Sequence, residues 1–192
     1  MRDSRWRGLL GETFLERWLE EAGVKAFYPE THCFSEQMDF YRKAECVIFA
    51  QGSACHGTEL LGRRGLEAAI LIPKSIKSDF FRRILSPRAR RFCVAGAPNQ
   101  IGTMYYHPQT RFQYVHLDVS LVDYHALADC LLTDEIRPPP IKPWTYRLAA
   151  ARDLRRYIRE AFRAKGADYR QATRLVMTFL MRVFGTVGTS SN

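Results

Sequence analysis

A run of small and polar residues in the first half of the chain carries the groups best suited to bind an anion. Gly52, Ser53 and Ala54 follow an apolar stretch, and small side chains let a diphosphate approach backbone N–H groups closely. His56 can donate to a phosphate oxygen, and Glu59, about one helical turn further on, can accept from a ribose hydroxyl. This spacing suits a nucleotide. A Gly-Ser turn between a strand and a helix is equally common as simple packing, so both interpretations stay open.

These residues need a strand and a helix to position them, and the surrounding sequence predicts both. Residues 46–50 are an apolar run of strand length, and residues 54–62 are predicted to form the helix that follows the turn. Further strands are predicted at 24–28, 68–72, 91–95 and 113–117, and further helices at 12–22, 78–85 and 120–132. Ser35 can cap one more helix, which carries Met38 and Tyr41. Short apolar strands that alternate with amphipathic helices predict an α/β fold. We therefore expect a Rossmann-like, mostly parallel sheet with helices on both faces.

A proline-rich segment predicts the main boundary of the chain. Residues 137–143 contain four prolines in seven positions, which favours an extended spacer. The predicted organisation is a Rossmann-like lobe at 1–136, a linker at 137–143 and a basic helical extension at 144–192. Within the extension, residues 144–165 and 167–184 read as two helices hinged at Gly166.

The positive charge of the chain is concentrated in that extension. The 29 Lys and Arg exceed the 20 Asp and Glu by nine, and the excess falls entirely after residue 136. Nucleic-acid binding by the whole chain is therefore not expected. Arginines recur at three- and four-residue steps, at Arg152, Arg155, Arg156, Arg159 and Arg163, beside an apolar helix that carries Met177 and Met181. Residues 144–184 could lie on an anionic membrane surface, pack against another lobe or, least expected, contact nucleic acid.

Cysteine spacing and hydropathy bear on location and metal binding. The five cysteines are odd in number and form no CxxC pair, so we expect neither a disulfide framework nor a zinc site, and a reducing cytoplasm fits best. No apolar run is long enough to span a membrane, and the first residues lack the apolar region of a signal peptide, so we expect neither a membrane span nor secretion. An Asp-x-Asp pair for a divalent ion is also absent, so no metal and no other cofactor are predicted.

Three short blocks occur in order between about residues 3 and 72. The first is Ser4-Arg5, then Leu10-Gly-Glu12 and the helix from Leu15-Glu16 to Gly23. The second is Tyr28-Pro-Glu30, then Ser35-Glu-Gln37 and Ala44-Glu45, and the third is Gly52-Ser-Ala-x-His56 with Glu59-Leu-Leu61. Together they resemble the C-terminal part of the family 61 glycosyltransferases, especially bacterial members labelled capsular polysaccharide biosynthesis proteins. The resemblance covers a little over a third of the chain.

The resemblance implies the donor-binding lobe of a two-lobed, GT-B-like enzyme that transfers a sugar with inversion. The expected donor is a nucleotide sugar of the UDP, GDP, CDP or TDP type, and the expected acceptor is a saccharide of bacterial surface or capsular polysaccharide. Members of the family carry an N-terminal lobe before the Ser-Arg block, so this chain is expected to be incomplete as an enzyme without one. The corresponding location is the cytoplasm, with peripheral attachment at the inner face of the cell membrane.

Residue roles follow from the resemblance together with the chemistry. A transferase without a metal must neutralise the leaving diphosphate, and Arg5 supplies a fixed cation for it. Gly52, Ser53, Ala54 and His56 are expected at the same diphosphate, and Glu59 and Gln37 at the nucleoside or sugar; for Gln37 a purely structural amide is an equally good interpretation. No residue presents itself as the catalytic base. The alternative function is a non-catalytic, truncated lobe that docks to a membrane or a partner enzyme.

Overall fold

A computed structural model describes residues 8–105, 118–163 and 169–185 of the 192-residue chain. Its α-helices are α1 (Glu12–Glu21), α2 (Phe34–Lys43), α3 (Ala54–Gly57), α4 (Ser78–Leu85), α5 (Tyr124–Thr133), α6 (Pro143–Arg163) and α7 (Tyr169–Phe184). Its strands are β1 (Val47–Ala50), β2 (Leu66–Ile72), β3 (Ala89–Val94), β4 (Asn99–Gly102) and β5 (Val119–Leu121). Short 3-10 turns lie at Pro29–Thr31, Thr58–Leu61 and Ser86–Arg88.

The chain divides into two compact units. The sheet unit contains residues 15–99 and 122–140, and the helical unit contains the described residues of the ranges 1–14, 100–121 and 141–192. The domain organisation expected from the proline-rich segment stays a prediction. None of the helices that the structure describes is both long enough and apolar enough to cross a bilayer.

The sheet unit is built on a three-stranded parallel sheet in the order β1-β2-β3. In register, Val47 of β1 lies opposite Ala69 of β2, and Ile70 of β2 lies opposite Cys93 of β3. Six of the seven residues of β2 are buried, with Glu67 as the exception, as expected for a central strand covered on both faces. The apolar runs at 46–50 and 68–72 therefore form strands where the sequence predicted them.

Helices cover both faces of this sheet. Side chains alternate along a strand, so Phe49 and Leu71 share one face while Ile70 and Cys93 share the other. On the first face Tyr41 of α2 packs against Phe49, with ring centroids 5.7 Å apart. On the second face α5 packs against β2 and β3 and is bonded to Cys93. The predicted α/β class, with a parallel sheet flanked by helices, is confirmed at this level.

Two predicted elements differ from the structure. Residues 24–28 form no strand: no neighbouring strand pairs with them, and Phe27 instead stacks on Phe40 with ring centroids 3.8 Å apart. The helix predicted at 120–132 begins only at Tyr124, because Asp123 caps it by accepting a 3.0 Å hydrogen bond from Ala126 N. Residues ahead of this cap form β5. The predicted strand at 113–117 and the predicted hinge at Gly166 lie outside the described residues.

The expectation of no disulfide is wrong. Cys93 of β3 and Cys130 of α5 are bonded, with their Cα atoms 5.9 Å apart. The partners are 37 residues apart in sequence and meet only because α5 packs on the sheet, so no local spacing could indicate the pair. The cysteine-based argument for a reducing cytoplasm loses its support with this bond.

The helical unit joins distant parts of the chain through buried polar contacts. Leu9 forms a parallel bridge with Ser120, next to the two-stranded sheet of β4 and β5. Gly11 N donates a 2.8 Å hydrogen bond to Asp153 Oδ2, and its φ of +78° suits glycine. A Cβ at Gly11 would also lie 2.7 Å from the Tyr146 ring, so a larger residue does not fit.

A second buried contact of the helical unit centres on Tyr157. The Tyr157 hydroxyl accepts a 2.8 Å hydrogen bond from Met104 N and lies 3.1 Å from Thr103 Oγ1. Burial raises the pKa of Tyr157 to about 12, so the phenol is neutral at physiological pH. Helix α6 thereby holds the segment that follows β4.

Candidate functional site

The candidate site lies at the carboxyl ends of β1 and β2 in the sheet unit. Gln51 N donates a 3.0 Å hydrogen bond to Ile72 O, which extends the pairing of the two strands by one residue. Beyond that bond each strand continues into a loop. Ligands of open α/β sheets bind outside the carboxyl ends of the strands, so both loops are at a suitable edge.

The side chain of Gln51 ties these two loops together. Its Oε1 accepts hydrogen bonds from Lys74 N at 2.8 Å and from Ser75 N at 3.1 Å, and its Nε2 donates to Ser75 Oγ at 2.8 Å. Gln51 is 8% exposed, so a buried amide has both of its polar atoms satisfied. The loop after β1 is therefore held in a fixed position beside the loop after β2.

The loop after β1 closes into a short helical turn. Cys55 N donates to Gly52 O at 3.1 Å, and His56 N donates to Ser53 O at 3.0 Å. The predicted helix at 54–62 is one α-turn, α3, continued by the 3-10 turn Thr58–Leu61. Among the described residues, the N–H groups at 52–54 have no protein acceptor. Gly52, Ser53 and Ala54 thus present backbone donors at the strand end, where the sequence placed them.

The structure brings His56 and Glu59 together. His56 Nδ1 lies 2.7 Å from Glu59 Oε1, and both side chains are about half exposed. The imidazole ring also lies 5.7 Å from the rings of Phe80 and Phe81 of α4. These contacts fix the orientation of the ring and direct its other nitrogen, Nε2, away from the carboxylate.

Gln37 serves the fold in this structure. Its Nε2 donates hydrogen bonds of 2.8 Å to Pro29 O and 3.0 Å to His32 O, so the amide stabilises the turn ahead of α2. The structural alternative considered for this residue matches these contacts, while its role at a donor sugar stays a prediction.

Arg5 lies outside the described residues. Its predicted contact with the leaving diphosphate stays a prediction as well.

The sequence reasoning did not single out the loop after β2 or the start of α4. Lys77, Arg82 and Arg83 are exposed there, and Phe80 exposes about half of its ring. A cavity of about 280 Å³ opens at the carboxyl ends of β2 and β3, and its lining residues are Leu71, Ser78, Asp79, Arg82, Val94, Gly96 and Pro98. Two sequence features could have indicated this region. Basic residues recur between Lys74 and Arg83, and they follow a predicted strand whose carboxyl end is as suitable for a ligand as that of the first strand.

The cavity is at the lower end of the size range for ligand pockets. A cavity of this size can hold a phosphate or a monosaccharide. Asp79 contributes a carboxylate and Arg82 a guanidinium to its lining.

Two free cysteines of this unit, Cys46 and Cys55, are unsuited to nucleophilic chemistry. Cys55 is fully buried beneath the loop after β1, and burial raises its pKa to about 11. Cys46, which donates to Asp134 Oδ2 at 3.7 Å, has its pKa raised to about 12 by burial and by that carboxylate. Both groups are thiols at neutral pH, and a thiol is a weak nucleophile.

Within the described ranges, no group of three or more His, Cys, Asp or Glu side chains is arranged to hold a metal ion. The independence from metal expected from the sequence stays a prediction.

Comparisons with protein-family models, curated proteins and solved structures give no match for this chain. The resemblance to the family 61 glycosyltransferases therefore rests on the three sequence blocks alone.

Proposed function

We propose that the sheet unit binds the donor in an inverting, metal-independent glycosyltransferase. The donor would be a nucleotide sugar with a UDP, GDP, CDP or TDP carrier, and the acceptor a saccharide of bacterial surface or capsular polysaccharide. In this proposal the unit belongs to a Rossmann-like lobe that corresponds to the C-terminal lobe of a GT-B enzyme. It would act at the cytoplasmic face of the cell membrane.

One observation carries the proposal: Gln51 holds two strand-end loops side by side. Through its contacts with Lys74 N and Ser75 N, the N–H groups at 52–54 and the basic loop after β2 share one edge of the sheet. Backbone N–H groups, an imidazole and the ammonium of Lys77 are the donors that a diphosphate requires. A packing turn alone would not need a buried amide joining it to the next loop.

The proposed chemistry is a single displacement. The acceptor hydroxyl oxygen attacks the anomeric carbon, the bond from that carbon to the diphosphate oxygen breaks, and a base takes the hydroxyl proton. The leaving diphosphate gains negative charge in this step, and cations fixed beside it lower the barrier. Lys77 and, as predicted from the sequence, Arg5 would supply that charge, and His56 would donate a hydrogen bond to the diphosphate.

Glu59 has a positioning role in this proposal. Because Glu59 Oε1 holds His56 Nδ1 at 2.7 Å, the Nε2 atom is the one directed to phosphate. The second carboxylate oxygen of Glu59 is left for the predicted contact with a ribose hydroxyl. The cavity beside Arg82 would receive the sugar.

A second candidate function is a non-catalytic lobe that docks to a membrane or a partner enzyme. It is favoured by the exposed apolar side chains of α7, such as Met181 at 61% exposure. Sugar transfer to an acceptor would separate the two functions, because only the enzyme turns over a nucleotide sugar.

The first test is a thermal-unfolding panel with UDP, GDP, CDP and TDP and their sugars. A ligand that binds the folded state at 100 times its Kd stabilises it by about 2.7 kcal/mol, which raises the midpoint. We expect one nucleotide to do so, and His56→Ala to weaken its affinity roughly tenfold or more, because a charge-assisted hydrogen bond is lost.

Arg5→Ala should weaken the affinity for the same nucleotide, whereas Lys43→Ala should not. Lys43 is an exposed cation at the end of α2, just ahead of β1, so it lies at the other end of that strand from the loop at 52–56 and controls for loss of a charged surface side chain. The proposal fails if no nucleotide shifts the midpoint at millimolar concentration, or if Lys43→Ala weakens binding as much as His56→Ala.

A further inference from the structure

Helix α7 exposes apolar side chains on its outward side. Its buried residues Leu175, Phe179 and Val183 recur at four-residue steps and face the interior of the helical unit. The apolar face of α7 is the set of exposed side chains on the other side, namely Tyr169, Val176, Met177, Leu180, Met181 and Phe184, at 37–82% exposure. A helix on a water-exposed surface normally places polar residues there. Helix α7 is apolar on both sides.

The start of α6 extends this apolar face. Arg147 lies over the Phe184 ring, 5.7 Å from its centroid, so the second turn of α6 is next to the last turn of α7. Trp144 is 62% exposed and Leu148 is 43% exposed in that part of α6. Aromatic side chains with a polar edge, such as tryptophan and tyrosine, favour the boundary between water and lipid.

Arginines border the apolar face. Arg152, Arg155, Arg159 and Arg163 are all exposed on α6 at three- and four-residue steps, and Arg170, Arg174 and Arg182 are exposed on α7. The two helices together carry nine arginines against two acidic residues. Both acids are already engaged: Asp153 accepts from Gly11 N, and Glu160 accepts from Arg156 Nε at 3.0 Å. The surface therefore has a large uncompensated positive charge.

We propose that α6 and α7 bind the surface of an anionic phospholipid bilayer, with the apolar face of α7 at the level of the acyl chains and the arginines among the headgroups. Apolar side chains including Trp and Phe beside a dense set of arginines are the composition of helices that lie in the interface plane. Long arginine side chains reach headgroups while their stems contact apolar surface.

Charge and hydrophobicity together favour a lipid surface over a second copy of the chain or a nucleic acid as the partner of α6 and α7. A second copy of the chain would place nine arginines against nine arginines, which opposes a symmetric dimer through this surface. A nucleic acid matches the charge but leaves six exposed apolar side chains in water. Of these three occupants, the anionic lipid surface is the one that satisfies both the charge and the apolar face. This inference does not depend on nucleotide binding by the sheet unit.

The test measures co-sedimentation of the full chain with vesicles of phosphatidylcholine, with and without phosphatidylglycerol. We expect binding only to the vesicles that contain phosphatidylglycerol, and weaker binding as salt is raised. Met177→Gln with Leu180→Gln should reduce the partition coefficient at least tenfold, because two side chains lose burial in lipid. The matched control is Phe34→Gln with Leu132→Gln, at similar exposure on α2 and α5, which should bind as wild type.

A second pair of variants tests the charge independently of the apolar face. Arg152→Gln with Arg159→Gln should weaken binding about fivefold for each arginine removed. Arg63→Gln with Arg137→Gln, two exposed arginines of the sheet unit, should have little effect. All of these positions are on the surface, and equal thermal midpoints would establish that the variants are folded.

Several results would overturn the proposal. The first is equal binding to neutral and anionic vesicles. The second is vesicle binding that does not change when Arg152 and Arg159 are replaced. The third is self-association in sedimentation equilibrium that is lost when Met177 and Leu180 are replaced. Retention of nucleic acid without any vesicle binding would also overturn it.

Discussion

The two units of the chain place their polar groups in opposite ways. In the sheet unit the core between α2 and the sheet is made of apolar side chains, and the polar side chains of the candidate site, the buried Gln51 and the His56–Glu59 pair, lie at the carboxyl edge of the sheet. In the helical unit Tyr157 is fully buried and Asp153 is half-buried, while α7 exposes methionine, leucine and phenylalanine side chains.

This difference indicates what each unit is suited to meet. Polar groups fixed at an edge are preorganised for a polar ligand, since they need no reorganisation when it arrives. Polar groups inside a small unit instead hold chain segments that are distant in sequence, as Gly11 and Asp153 do across 142 residues. An apolar exterior then needs an apolar neighbour. We therefore infer a soluble ligand for the sheet unit and a lipid surface for the helical unit.

Reduction of the Cys93–Cys130 bond should have the largest effect on stability, and it tests whether the sheet unit depends on that link. A bond that closes a loop of 37 residues stabilises a protein by about 2–4 kcal/mol, because it restricts the unfolded chain. We expect the free energy of unfolding in urea to fall by that amount when reductant is added. Hydrogen exchange should accelerate in β3 and α5 more than in α6.

The double variant Cys93→Ser, Cys130→Ser provides the control, since reductant should not change its stability further. If the wild-type protein is equally stable with and without the bond, with reduction verified by mass, the bond does not hold the sheet unit together.

Tyr157→Phe should have the next largest effect, and it tests the polar interior of the helical unit. The change removes the hydroxyl that accepts from Met104 N and leaves this buried N–H without that partner. An unsatisfied buried donor costs about 1–3 kcal/mol, so unfolding in urea should begin at a lower concentration. Tyr169→Phe, at 82% exposure, should change stability by no more than about 0.5 kcal/mol. If the two substitutions lowered the free energy of unfolding equally, the buried hydroxyl of Tyr157 would not be a specific source of stability in the helical unit.

The smallest effect is expected from the pH dependence of Asp153. Burial raises the pKa of this carboxyl above its ordinary value of 3.8. The hydrogen bond from Gly11 N and the charge of Arg156 act in the opposite direction but are smaller effects. The folded state therefore holds the proton more tightly than the unfolded state, and stability falls as pH rises from about 3.8 through the raised pKa. Asp153→Asn keeps an acceptor for Gly11 N and should flatten that slope.

The matched control for this titration is Asp39→Asn, an exposed aspartate of α2, which should keep the wild-type slope. A slope that Asp153→Asn leaves unchanged would place the titrating group elsewhere.

Local pattern was sufficient to predict much of the sheet unit. The apolar runs that form β1 and β2 are short and bounded by turn residues, and α4 occupies the predicted residues 78–85. The strand predicted at 24–28 has similar local composition but no partner, and pairing is a property of the fold. The Cys93–Cys130 bond was missed for the same reason, because its partners are brought together by packing alone.

The candidate site was predicted in part. The loop at 52–56 could be located from its small residues, and the His56–Glu59 contact follows from their spacing in a helical turn. The participation of the loop after β2 depends on Gln51, whose side chain bonds residues more than twenty positions away. No periodicity or motif encodes a contact of that kind, so only the structure reveals it.

The connectivity of the two units has a consequence for biosynthesis. Strands β1, β2 and β3 are neighbours in chain order, so the sheet can assemble as soon as the segment up to Val94 has left the ribosome. The helical unit must wait for α6, because Asp153 and Tyr157 hold segments made much earlier. The segment around Gly11 therefore stays without its α6 partner until α6 has been translated, and the apolar face of α7 emerges after both the sheet and α6. A lipid surface close to the ribosome would cover that face at the stage when it is most prone to aggregate.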